Sequence, residues 1–220
     1  MKRFPQLGRM WPIFALLLMG GLVVVILGPV YRRVQQNTTH RTCYNNLRQI
    51  ALAIQQYRVD YNGRLPRVIQ HPASSTRTDS TLAYGWADGL QIYFAAPRLY
   101  QCPQEKRQGD GPFEPWESGY SDYYLNSRLS GINTDKVKFP ANTVLLAEGN
   151  DGRDVADARY ARSAPPPLWY VNRSSPLFRH SARSNYAFLD GHVKQLPVKS
   201  GWPSSKPDKD NFTFVPQEAP

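Results

Sequence analysis

Cysteine is almost missing from this chain. Of 220 residues only Cys43 and Cys102 are cysteines, and they form no Cys-x-x-Cys pair. That excludes a zinc ribbon and a thioredoxin-type centre. One bridge between them is allowed and none is demanded, and its oxidation is permitted if the body of the chain lies outside the reducing cytoplasm. No His-Glu-x-x-His occurs, so the helix of the common zinc hydrolases is absent. There is no internal repeat. Acidic residues are missing from one end: residues 1–59 hold eight Lys/Arg and no Asp or Glu. The remaining 161 residues carry 19 basic and 17 acidic groups, so most of the net +10 lies at the N-terminal end. A nucleic-acid binder would carry its excess on the folded surface, and no nucleic-acid partner is expected.

Charge of either sign is missing from Trp11 to Tyr31, "WPIFALLLMGGLVVVILGPVY", a run of 21 residues. A helix of that length rises about 30 Å, the thickness of a bilayer's hydrocarbon core. Lys2, Arg3 and Arg9 precede it and Arg32 and Arg33 follow. No small-x-small cleavage site comes after it, which favours a retained signal anchor over a removed signal peptide. The expected layout is a cytoplasmic stub (1–10), a transmembrane helix (11–31) and a head outside the cytoplasmic membrane. The lipid bilayer is thus the first expected partner.

Gly and Pro are missing from Val30 to Tyr61. Cys43, Leu47, Ile50, Ile54, Tyr57 and Tyr61 follow one another at steps of four and three, an apolar stripe along an α-helix. Residues 32–62 therefore read as an amphipathic extension of the same helix, docked on the chain's own head. Asn62-Gly63 supplies a left-handed C-cap and Pro66 prevents restart. In the head (63–196), residues 67–85 read as a polar loop, "WADGLQIYF" as a short helix and residues 96–120 as a Pro/Gly-rich excursion. "SDYYLNS", "TVLLAEG" and "NYAFLDGHVKQL" read as strands. The tail, 197–220, is Pro- and Lys-rich and reads as surface chain with little structure of its own. Helix followed by strands gives an α+β class: a long N-terminal helix packed on a C-terminal antiparallel sheet.

The chemistry-bearing residues concentrate in "RHSARSNYAFLDGHVKQL". His180, Asp190 and His192 are raw material for a metal site or an acid–base pair. Asp-Gly, however, favours a two-residue type I′ hairpin. That register sets Phe188 opposite Val193 and Leu189 opposite His192, with Tyr186, Phe188 and Val193 on the core face. His192 then points outward beside Lys194, a poor place for a dication, and Asp190 serves the turn. The fastening role is preferred to the metal site and to catalysis. A second polar cluster, Glu148, Asn150, Asp151 and Asp154, offers oxygens to calcium, although its spacing is not that of an EF-hand. A solvated polar loop is the preferred reading of this cluster, so no cofactor is expected and calcium is the alternative.

His180, nine residues, then Asp190-Gly191 resembles the H-x9-DG signature of bacterial prepilin-type proteins, which are pilin-like and pseudopilin-like. "TCYNNLRQIALAIQQYRVDYNGRLP", "YQCP" and "VKFPANTVLLAEG" are similar to further blocks of that family, in the same order. The resemblance implies a pilin-like fold and a structural role beside other pilin-like subunits or a secretion platform. The chain departs from the family at its start. The Phe and Glu positions of the prepilin motif fall on Gly8 and Pro12, so neither the peptidase site nor the assembly glutamate is present. Three classes of function follow: a membrane-anchored structural subunit, foremost; a module binding calcium, polysaccharide or a secreted protein; and, last, a metallohydrolase on His180, Asp190 and His192.

Overall fold

The computed structural model describes residues 7–69, 83–94, 96–105, 114–198 and 212–218. Most of the polar loop, the middle of the Pro/Gly-rich excursion and much of the tail lie outside these residues. The chain divides into two compact units, residues 1–40 and 41–220. Helix α1 runs Leu7–Asp60, without interruption at Gly20-Gly21 or Gly28-Pro29.

In the first unit, α1 exposes Leu16, Leu17, Leu18, Leu22, Val23, Val24, Val25, Ile26 and Leu27. Apolar side chains bared on every side of a helix are costly in water and at ease in lipid. This helix is long and apolar enough to cross a membrane.

In the second unit the last turns of α1 dock on the sheet. Cys43, Leu47, Ile50 and Ile54 are fully buried, and Ala51 and Ala53 widen the stripe. The stripe ends at Tyr61, which is about half exposed and stacks on Tyr57. Asn62 (φ 52°) and Gly63 (φ 76°) then take the left-handed conformation, and the Gly63 amide donates to the Arg58 carbonyl at 2.8 Å. Those carbonyls would otherwise lack a donor, which is why the helix stops here.

The sheet contains β1 (Tyr123–Asn126), β2 (Val144–Glu148), β3 (Ala161–Arg162), β4 (Arg183–Phe188) and β5 (Val193–Pro197), in the order β3-β1-β2-β4-β5. The α+β class with an N-terminal helix is as the sequence indicates. The sheet, however, is mixed: β1–β2, β2–β4 and β4–β5 are antiparallel, and the two-residue β3 runs parallel to β1. So short a strand has no alternation for a sequence pattern to display.

The hairpin register differs from the expected one by one residue. Ala187 pairs with Val193 and Tyr186 with Lys194. The Phe188 amide donates to the His192 carbonyl, and the Gly191 amide to the Phe188 carbonyl, both at 2.9 Å. The loop therefore has three residues, Leu189-Asp190-Gly191, and only Gly191 among them has a positive φ (93°). A type I′ turn needs two such residues, whereas a three-residue loop closes with one glycine. The one-residue slip exchanges the faces. Ala187, Leu189 and Val193 face the helix, while Tyr186 and Phe188 face a second apolar layer.

That second layer makes the outer face of the sheet a core as well. Tyr124, Val144, Ala147, Tyr186 and Phe188 are covered by Trp169, Leu177, Phe212 and Phe214. The Phe212–Phe214 segment belongs to the region read as loose tail, yet all three of its residues are buried. Thr213 bridges Thr143 in parallel, and the Asn126 side-chain amide donates to the carbonyls of Val144 and Phe214.

Candidate functional site

At the meeting point of α1, the end of β2 and the start of β4 lies a buried polar cluster. Glu148 is the last residue of β2 and is fully buried. Four donors converge on its carboxylate. Oε1 accepts from the Asn185 side-chain amide at 2.9 Å and lies 2.6 Å from His180 Nε2. Oε2 accepts from the Asn185 backbone at 2.9 Å and from Ser184 Oγ at 3.2 Å. Burial alone drives a carboxyl pKa up; here the His180 hydrogen bond and charge, then Arg179 and the Asn185 amide, reverse this and hold Glu148 below its ordinary value.

His180 is also fully buried, and its position is set by an unusual stretch of backbone. The next two residues, Ser181 (φ 55°) and Ala182 (φ 61°), both take the left-handed conformation. Non-glycine residues rarely do so, and two in succession turn the chain sharply into β4. The motif spacing thus has a physical content. His180 anchors one end of β4, Asp190-Gly191 turns the other, and the residues between them are the corner, the strand and Leu189.

Cys43 and Cys102 form a disulfide, with Cα atoms 5.1 Å apart, inside the range a bridge requires. The bridge touches the cluster: Cys102 Sγ is 3.7 Å from His180 Nε2. Cys102 is held by its amide, which donates to Asp122 Oδ2 at 2.7 Å, while Asp122 Oδ1 accepts from the Asn150 side chain. On the helix side, the Tyr123 hydroxyl donates to the Cys43 carbonyl at 3.2 Å. Burial raises the Tyr123 pKa well above its usual value, so it stays a neutral donor.

The residues singled out in the sequence are regrouped by the fold. His180 does not join Asp190 and His192. The latter two pair at the hairpin tip, with His192 Nδ1 2.6 Å from Asp190 Oδ1 and the His192 ring stacked on Phe188. The four calcium candidates also go separate ways. Glu148 serves His180, Asn150 serves Asp122, Asp151 accepts from Trp169 Nε1 at 3.0 Å, and Asp154 pairs with Arg162 and the Tyr160 hydroxyl. Among the described residues, the His/Cys/Asp/Glu group whose ligand atoms lie within 4.8 Å of one another is Cys43, Cys102, Glu148 and His180. It joins the motif histidine, one calcium candidate and both cysteines, named for three unrelated reasons. Ser184, Asn185 and Asp122 were not foreseen, since a polar residue in or beside a strand gives no sign of a buried partner.

A chemical reading limits what this cluster does as it stands. It is closed to solvent, its sulfurs are paired and its carboxylate is saturated with donors, so the oxidised form is a fastening. The architecture is that of an α+β head, stapled by a disulfide to a helix that continues into an apolar span. Comparison with protein-family models, curated proteins and solved structures finds no match to this chain.

Proposed function

We propose that the protein is a membrane-anchored, pilin-like structural subunit whose head works outside the cytoplasm, as a component of a pseudopilin- or pilus-type system. The observation that carries this reading is the long N-terminal helix, apolar enough to span a bilayer at one end and docked by a stripe on a sheet at the other. Two further features support it. A disulfide at the helix–sheet junction suits an oxidising compartment. The resemblance around His180, Asp190 and Gly191 falls on residues that fix β4 in place, a structural duty. On this reading the head is a packing unit, not an enzyme. Its partners are the bilayer and other pilin-like subunits or a secretion platform. The chain lacks the prepilin glutamate, so it enters such an assembly as an accessory anchored by its own span.

The test is biochemical. Membranes from cells making the tagged full chain are washed with alkaline carbonate, solubilised in mild detergent and purified by the tag. The expected result is retention in the membrane and co-purification with pilin-like subunits or an assembly platform. Release by carbonate would refute the anchor, and purification as a lone monomer would refute the structural role.

A further inference from the structure

A disulfide by itself has no use for a buried histidine and a buried glutamate. Here both lie against one, and all four residues are at most 1% exposed. The ligand set is thiol, thiol, imidazole and carboxylate, and the ligand atoms lie within 4.8 Å of one another. The edges of a tetrahedral zinc site with bonds of about 2.0–2.3 Å are roughly 3.3–3.8 Å long. Cys102 Sγ and His180 Nε2, 3.7 Å apart, already span one such edge, whereas the hydrogen-bonded His180 Nε2 and Glu148 Oε1, 2.6 Å apart, and the two bonded sulfurs must part by about 1–2 Å to admit an ion.

We propose that the Cys43–Cys102 disulfide masks a divalent-metal site, and that the reduced head binds Zn2+ through Cys43, Cys102, His180 and Glu148. The chemistry balances as two steps. A dithiol reductant gives two electrons and two protons to the disulfide. The sulfur–sulfur bond breaks, two protein thiols form and the reductant leaves as its own disulfide. Zn2+ then binds as the two thiols release their protons to solvent. His180 donates the Nε2 lone pair, so its ring proton resides on Nδ1, and Glu148 turns one oxygen from the imidazole to the metal. A disulfide oxidant reverses the sequence: the protein sulfurs rejoin, two electrons and two protons from solvent reduce the oxidant to its dithiol, and Zn2+ leaves.

The surroundings suit this exchange. Two thiolates and a carboxylate bring three negative charges, Zn2+ answers two, and Arg179, adjacent to His180 in sequence, adds a cation that it shares with Glu105. Arg179 is itself fixed by Glu105 and by the carbonyls of Gly149 and Asn150. Glu148 keeps the Ser184 hydroxyl and the Asn185 backbone amide on Oε2, away from the histidine, while the Asn185 side-chain amide holds Oε1, an outer shell of the kind that orients metal ligands. Cys102 is held by Asp122 independently of the disulfide. The proposal does not depend on the membrane reading.

The full chain, in detergent, is reduced with a phosphine, freed of metal and titrated with Co2+, then with Zn2+. The expected result is one equivalent of tetrahedral Co2+ with a thiolate charge-transfer band, displaced by Zn2+, and no such spectrum from the oxidised chain. Near-ultraviolet circular dichroism reports whether the head is folded. His180→Ala should weaken Co2+ binding at least tenfold, and His180→Cys, which supplies a thiolate in place of the imidazole, should recover part of it. The idea fails if the reduced, folded chain gives no tetrahedral spectrum, or if His180→Ala binds as well as the parent. It fails equally if reduction abolishes the near-ultraviolet signal and Zn2+ does not restore it, since unfolded cysteines binding metal would not be this site.

Discussion

Glu148 is an ionisable group placed where water cannot reach it, and its environment sets the cost of disturbing it. Removing one partner of a buried pair strands the other, at about 3–5 kcal/mol. His180→Ala should therefore destabilise the head by at least about 3 kcal/mol, read from denaturant unfolding of the detergent-solubilised chain; a loss under 1 kcal/mol would mean that Glu148 relaxes to another partner. The same group sets a pH dependence. Its folded pKa lies below the ordinary value of 4.5, so the unfolded chain takes up the proton first on acidification. The stabilisation is complete above pH 4.5 and is lost as pH falls through the folded value. Unfolding free energy measured from pH 7 downward should fall in that acid range, and Glu148→Gln should flatten this part of the profile while lowering stability at neutral pH. A variant profile parallel to the parent's would assign the acid loss to other carboxylates.

The hairpin β4–β5 shows how far a sequence pattern reaches at the scale of an element. Its existence and its turn residues were legible, because Asp-Gly between two apolar runs has few other uses. Its register was not. Two- and three-residue loops both accept Asp-Gly, and the choice rests on where Leu189 finds a partner: its carbonyl accepts from Gln55 of α1 at 3.2 Å. The helix stripe was legible for the opposite reason, since a period of 3.6 repeats often enough to be counted. The buried Phe212–Phe214 segment was hidden by the polar, Pro-rich chain around it, and the Glu148–His180 pair by a separation of 32 residues. At the hairpin tip, Gly191→Val meets two obstacles. Its φ of +93° disfavours any side chain, and a Cβ there would lie 3.3 Å from Gln55 Cγ. A loss of about 2 kcal/mol or more is expected from a β-branched residue forced into that conformation. His192→Ala removes a partly exposed ring stacked on Phe188 and should cost about 1 kcal/mol or less. Thermal unfolding of the two variants side by side checks the order; equal losses would place His192 in the fastening after all.

For the molecule as a whole, the disulfide links stability to location. It joins residues 59 apart in sequence, and in the chain-entropy model a loop of that size stabilises by about 4 kcal/mol. It also pins the docked part of α1 to the loop before β1. Such a bond persists only where the compartment is oxidising. If the head lies outside the cytoplasmic membrane, as proposed, Cys43 and Cys102 in living cells should resist alkylation until a reductant is added. Rapid acid quenching, alkylation with a maleimide of high mass and non-reducing electrophoresis measure this directly. The expected pattern is an unshifted band that shifts by two adducts after reduction. Moving the head inside, by replacing Lys2, Arg3 and Arg9 with Glu and adding Lys after Arg33, should produce the doubly shifted band without added reductant, because basic residues near a span favour the cytoplasmic side. If the unaltered chain is alkylated in cells as fast as the inverted one, the head folds in a reducing compartment, and the proposed topology is wrong.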